Sequence, residues 1–173
     1  MEKTAEKTVS IYLASPLGFS AEGRLYIKEI LRPELEKLEN VSLTDPWAEV
    51  LAQSDEQLIG AALLLRSEEA VKICLNNFDR IDKADIVLAN LNGADPDSGT
   101  CVEIGYAFAK GKMVIGYRTD FRLSGDCVGL HVNMQVEAAI TRSEGEVFDT
   151  LDQALHFIKE ITHTKRLEVS RLH

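Results

Sequence analysis

Apolar residues in this chain come in short runs separated by longer stretches with helical spacing. Residues 9–14 form the first run, predicted as a buried strand, and Ser15-Pro16-Leu17-Gly18 turns the chain. From residue 20 to residue 38, Leu25, Ile27, Ile30, Leu31, Leu35 and Leu38 make an apolar helical stripe, in which Pro33 predicts a kink or break. Residues 41–43 read as a second, short strand ended by Asp45-Pro46-Trp47. Helices are predicted over 55–65 and 68–83, the second capped by Ser67. Residues 85–91 are nearly all apolar, which suits a parallel strand covered on both faces. A helix over 99–110, capped by Gly111, leads to a fourth strand at 112–117. After a loop over 118–133, residues 134–140 are expected as a fifth strand and 147–161 as a last amphipathic helix.

Strands alternating with helices predict an α/β protein: a doubly wound, flavodoxin- or Rossmann-like sandwich with a five-stranded, mainly parallel sheet. Its 173 residues are expected to form one domain, with a core over about 9–161 and a polar, frayed tail over 162–173. Ligands of such sheets sit outside the carboxyl ends of the strands. That rule gathers residues 12–15, 90–97 and Tyr117, Arg118 and Asp120 at one edge, although they are far apart in sequence.

Composition narrows the partners. A net charge of −9 argues against nucleic acid, whose phosphates need a basic face, but not against small nucleosides. No apolar run reaches membrane-spanning length, and residues 1–8 are charged rather than signal-like. The three cysteines, Cys74, Cys101 and Cys127, are odd in number and lack metal-ligand spacing, so a reducing cytoplasm is expected. No G-x-G-x-x-G follows the first strand and no Walker lysine loop is present, which disfavours dinucleotide and nucleoside triphosphate cofactors. The four histidines form no triad-like or metal-like arrangement.

The candidate chemistry centres on the loop and helix start at residues 96–107. Thr100-x-x-Glu103 fits a capping box, with Thr100 capping the helix and Glu103 reaching back to a backbone amide. It fits equally a nucleophile or general base near a helix N-terminus, where an ionised carboxylate is favoured. Asp97 is either an acidic turn residue or a second carboxylate on the same ligand, dividing acid and nucleophile roles with Glu103. Tyr12 is either a core aromatic or a phenol orienting Glu103. Phe19 and Trp47 belong to the core or its rim, or stack on a flat heterocycle. Arg118 and Arg122, flanking Asp120 and Phe121, read as a solvated charged loop.

With these residues in view, the chain resembles the nucleoside 2-deoxyribosyltransferase family over most of residues 9–160. The likeness rests on Ile11-Tyr12-Leu13-Ala14-Ser15-Pro16, on residues 84–91, on Asp97-Ser98-Gly99-Thr100 with Glu103-Ile104-Gly105-Tyr106-Ala107, and on residues 116–120. The resemblance implies Glu103 as the nucleophile on C1′ of a deoxyribonucleoside, Tyr12 as the residue that positions it, and Asp97 as a substrate-binding acid. It places Gly99 in the substrate loop. It also implies that Asn133 binds the sugar 5′-hydroxyl from a neighbouring subunit, with Gln135 on the same partner side, so a homo-oligomer is expected. The family aspartate that lies eight residues before Asp85 is here Asn77, a base or sugar contact rather than a proton donor, and Asp79 replaces it only if the helix shifts. No metal or organic cofactor is implied.

Three functions follow as expectations. The first is base exchange on 2′-deoxyribonucleosides through a covalent deoxyribosyl-glutamate, with retention, by analogy with retaining glycosidases. The second is hydrolysis of deoxynucleoside 5′-monophosphates, for which Arg118 and Arg122 are the candidate phosphate cations. The third is a non-catalytic nucleotide-binding module in which Glu103 is only a cap.

Overall fold

The computed structural model describes residues 8–171. Residues 1–7, nearly all of the charged N-terminal stretch, and residues 172–173 lie outside the described residues. Strands β1 (Val9–Ala14), β2 (Val41–Thr44), β3 (Ile86–Asn90), β4 (Met113–Tyr117) and β5 (Val147–Phe148) form one sheet in the order β2-β1-β3-β4-β5. Every pairing is parallel. This is the flavodoxin-like order, whose switch point lies between β1 and β3. The α/β, doubly wound expectation holds.

Alternation along β1 decides what each face receives. Val9, Ile11 and Leu13 join Ile86, Leu88, Ile115 and Tyr117 under one helical layer. That layer is α1 (Ala21–Tyr26), a π-helical turn (Ile27–Leu31), α2 (Arg32–Glu36) and α7 (Leu151–Arg171). Tyr12 and Ala14 face the other way, with Val87, Ala89 and Val114, toward α4 (Ser67–Lys83), α5 (Ser98–Ala109) and α6 (Met134–Arg142). The remaining helix, α3 (Asp55–Leu64), precedes α4 and opens with a capping box between Ser54 and Gln57. No helix among the described residues is long and apolar enough to cross a membrane.

Several local expectations are corrected. Residues 134–140 are not a strand but most of α6, which Asn133 caps by accepting the Gln135 N–H at 3.0 Å. Val136 and Ile140, four apart, supply its inward stripe. The fifth strand is Val147–Phe148, two residues with no periodicity to read, taken from the start of the predicted last helix. That helix starts at Leu151 and continues to Arg171, through most of the segment expected as a frayed tail. Around Pro33 the helix does not break. A π-helical turn precedes it, and Arg32 N–H bonds back to Ile27, five residues away, where a proline would otherwise disturb the ladder. Ile27, Leu31 and Leu35 are buried as expected, but Leu25 and Ile30 are exposed. Ser67 is the first residue of α4 rather than its cap, and Glu69 takes the preceding Arg66 N–H at 3.1 Å. Gly111 does follow α5 in the left-handed region, at φ +68.

Candidate active site

Strand alternation turns Tyr12 toward α5 just before the carboxyl end of β1, and α5 returns Glu103 to meet it. The Tyr12 hydroxyl donates to Glu103 Oε1 at 2.6 Å across 91 residues of sequence. From α4, Asn77 Nδ2 lies 3.5 Å from the same oxygen. A carboxylate oxygen accepts only N–H or O–H, so the Asn77 amide nitrogen faces it and Asn77 Oδ1 points elsewhere, buried and without a partner. Asp79, the possible substitute for the missing aspartate, is exposed, and no hydrogen bond joins it to Glu103 among the described residues.

The electrostatics set Glu103 apart. Burial pushes its carboxyl from 4.5 up to about 7; the Tyr12 hydrogen bond pulls down, and the Asp97 charge pushes up. The expectation that a helix N-terminus would keep it ionised fails for a geometric reason. Helix α5 starts at Ser98, with no acid in its first turn, so Glu103 lies beyond the reach of the helix dipole. Burial and the neighbouring Glu103 charge raise the Tyr12 phenol far above its ordinary value, so it stays a neutral donor.

The capping box is also corrected. Asp97, not Thr100, caps α5: its Oδ2 accepts the Thr100 N–H at 2.9 Å and the Thr100 hydroxyl at 3.3 Å. Glu103 therefore has no capping role, and its carboxylate meets Tyr12 and Asn77 instead. Gly99 is exposed in the first turn, where an added Cβ would stand 3.1 Å from Asp97 Oδ2.

On the β2 side, Trp47 is half-buried. Its Nε1 donates to Ser15 O at 2.9 Å, and its backbone N–H donates to Asp45 Oδ1 at 2.8 Å. Phe19, 77% exposed, is no core residue but stands edge-on to Trp47 at 4.6 Å. Gly18 permits this arrangement, since a Cβ there would fall 2.0 Å from the indole. Burial raises the Asp45 carboxyl, against the pull of the Trp47 amide and of Arg32 and Arg80. Sequence reasoning treated Asp45 only as the end of β2. Its place at a carboxyl strand edge was the available signal.

The structure does not bring every candidate together. Asn133 and Gln135 stand at the start of α6, and no hydrogen bond joins either to Glu103 among the described residues. Arg118 is buried, not solvated: its guanidinium donates to the carbonyls of Leu91, Gly93 and Arg122. Arg122 pairs with Asp120.

Comparison with known proteins follows the same outline. The profile of the family described as Nucleoside 2-deoxyribosyltransferase matches residues 11–144, a span holding all the candidate residues above. No curated protein matches the chain in sequence. A solved "2-desoxiribosyltransferase from Leishmania mexicana" is similar at TM-score 0.63 and 24% identity, over 88% of this chain and 97% of that one. A conserved protein from Enterococcus faecalis V583 is similar at TM-score 0.68 and 25% identity, over 88% of this chain and 98% of that one. A CMP N-glycosidase from Clostridium botulinum shares the fold at TM-score 0.50 and 18% identity, over 88% and 98% of the two chains.

Proposed function

Since this chain belongs to the nucleoside 2-deoxyribosyltransferase family, we propose that it exchanges the nucleobase of 2′-deoxyribonucleosides, with Glu103 as the covalent acceptor of the sugar. The observation that carries this reading is the 2.6 Å bond from Tyr12 to Glu103 Oε1 at the sheet's carboxyl edge. Tyr12 fixes one carboxylate oxygen and leaves Oε2 to attack C1′. The glycosidic bond breaks through an oxocarbenium-like state as the C1′–Oε2 bond forms. The departing base takes a proton from water held at Asn77. A second base then attacks C1′ as the C1′–Oε2 bond breaks, gives its proton back to the water that protonated the first base, and frees Glu103 with net retention. Water in place of that base gives the free sugar.

The carboxyl of Glu103, at about 7, is ionised in only part of the molecules near neutrality. Attack needs the ionised form, so kcat/KM rises with pH through about 7. Incubation with deoxyinosine and adenine is expected to yield deoxyadenosine, and Glu103→Ala to lose at least about a thousandfold of that rate. Full transfer by Glu103→Ala ends the nucleophile assignment.

The monophosphate-hydrolase alternative needs cations around a phosphate. Arg118 and Arg122 are both engaged within the chain, which removes the sequence argument for it. Asn133 and Gln135 belong in this proposal to a second copy's site. Val71 and Leu75, four apart on one face of α4 and both more than half exposed, favour such an association. A dilution series checks it: activity is expected to fall as the assembly dissociates, and full activity as a monomer rejects it.

A further inference from the structure

The helical layer across the sheet from Glu103 carries a charge pattern that base exchange does not use. Along α1, the π-helical turn and α2, the cations Arg24, Lys28 and Arg32 recur every four residues, roughly 6 Å apart along the axis. All three line one groove. A hollow of about 210 Å³ lies against Arg24, Leu25, Lys28 and Leu51, and a second of about 320 Å³ continues it past Lys28 and Leu51 to Arg32 and Glu36. The facing wall is the turn after β2, where the Leu51 N–H donates to the Trp47 carbonyl at 2.8 Å.

In a chain of net charge −9, three cations against one acid along a groove reverse the prevailing sign. Their donors are unequally engaged. Arg24 Nη1 donates to the Gly18 carbonyl at 3.1 Å. Arg32 stands 3.7 Å from both Glu36 and Asp45, beyond hydrogen-bond length, and no hydrogen bond engages its guanidinium among the described residues. Lys28 is exposed, and no hydrogen bond or ion pair reaches it among the described residues. Lys28 and Arg32 thus present unengaged N–H donors beside an apolar floor of Leu25 and Leu51.

We propose that this groove binds a phosphate monoester. Two cations one helical turn apart can each take a different oxygen of one tetrahedral dianion, whereas a single guanidinium already meets both oxygens of a carboxylate. Leu25 and Leu51 receive the organic body of the ester. The site is separate from the candidate active site. Tyr12 faces α4 and α5, whereas Ile27, Leu31 and Leu35, on the helix that carries the three cations, pack under the opposite face of the sheet. Leu51 lies one turn beyond Trp47, the chain's one tryptophan, so occupancy is expected to alter Trp47 fluorescence.

Titration of the full chain with phenyl phosphate, inorganic phosphate and phenol, followed by Trp47 fluorescence and calorimetry, tests this. Phenyl phosphate is expected to saturate one site per chain, about three- to tenfold more tightly than inorganic phosphate, and phenol not to bind. Lys28→Glu, at an exposed position, is expected to weaken phenyl phosphate at least about tenfold. Leu25→Ser, at a position 61% exposed, is expected to bring phenyl phosphate close to inorganic phosphate. Lys37→Glu makes the same change of charge at an exposed cation that lines neither hollow, and is expected to leave binding within about twofold. Absence of saturable phenyl phosphate binding at millimolar concentration, full binding by folded Lys28→Glu, or equal weakening by Lys28→Glu and Lys37→Glu overturns the inference. Phenol or inorganic phosphate binding as tightly as phenyl phosphate overturns the monoester assignment. The readout is binding, so loss of base exchange leaves this result standing, and failure here leaves base exchange standing.

Discussion

Two buried polar clusters stand at neighbouring strand ends, and they differ in how their atoms are satisfied. At the end of β4, Asn90 Nδ2 donates to the Tyr117 hydroxyl at 2.8 Å, Asn90 Oδ1 accepts the Asn92 N–H at 3.0 Å, and Arg118 donates to three carbonyls. Around Tyr12 and Glu103, by contrast, Ser15, Asp45 and Asn77 each keep a buried atom without a hydrogen-bond partner among the described residues, and burial lifts the Glu103 carboxyl to about 7. A cluster whose groups satisfy one another ties loops to the sheet and needs nothing from outside. A cluster left with open valences and a carboxyl near neutrality is arranged for a guest. The contrast separates the candidate site from its neighbour better than residue type does, since both clusters contain tyrosine, asparagine and charge.

The contrast can be broken most forcefully at Arg118. Arg118→Met leaves the Leu91 and Gly93 carbonyls unpaired in the interior and is expected to destabilise the fold by about 2–5 kcal/mol in urea denaturation. The folded fraction should keep its kcat within about threefold, because the argued role is architectural. A large fall in kcat at unchanged stability would merge the two clusters into one site.

Glu103→Gln is expected to act in the opposite direction. In the unfolded chain this carboxyl ionises near 4.5, in the fold near 7. Between those values the folded protein holds a proton that the unfolded chain releases, so this group's contribution to stability falls as pH rises through the window. Glutamine does not titrate. The variant should therefore be more stable than the parent above pH 7, by up to about 3 kcal/mol, with the gap closing toward pH 4.5. Denaturation curves at pH 8 and pH 4.5 measure it, and a variant less stable at both pH values contradicts the strain assigned to this carboxyl.

Tyr12→Phe sharpens the same point by the smallest step. It removes the 2.6 Å bond while keeping the ring, with an expected loss of about 10- to 100-fold in kcat/KM. The Tyr12 bond is what holds the Glu103 carboxyl down, so its loss should move the rise of the pH–rate profile upward. A profile that stays in place removes Tyr12 from the positioning role.

Much of this was legible without coordinates, but unevenly. Residues 86–90 announced a central strand because burial on both faces leaves only apolar side chains. Helix α6 reads as a strand because Met134, Val136 and Ala138 alternate with Gln135 and Glu137, and only the Asn133 cap marks it as a helix. Strand β5, at two residues, exists only because Gly116 and Tyr117 offer an edge to pair with. Within the site, Glu103, Tyr12 and Asp97 were singled out, but the capping role was given to Thr100, since S/T-x-x-E spacing does not tell which carboxylate the fold leaves available.

By itself, then, the sequence determined the layered architecture and the carboxyl edge where a ligand belongs, because periodicity and burial are properties of neighbouring residues. Only the tertiary structure decided which polar groups satisfy one another. That choice depends on distances between segments up to 91 residues apart. It turned Arg118 inward, freed Glu103 from the helix cap, and left Asp45 and Ser15 with buried atoms that have no hydrogen-bond partner among the described residues.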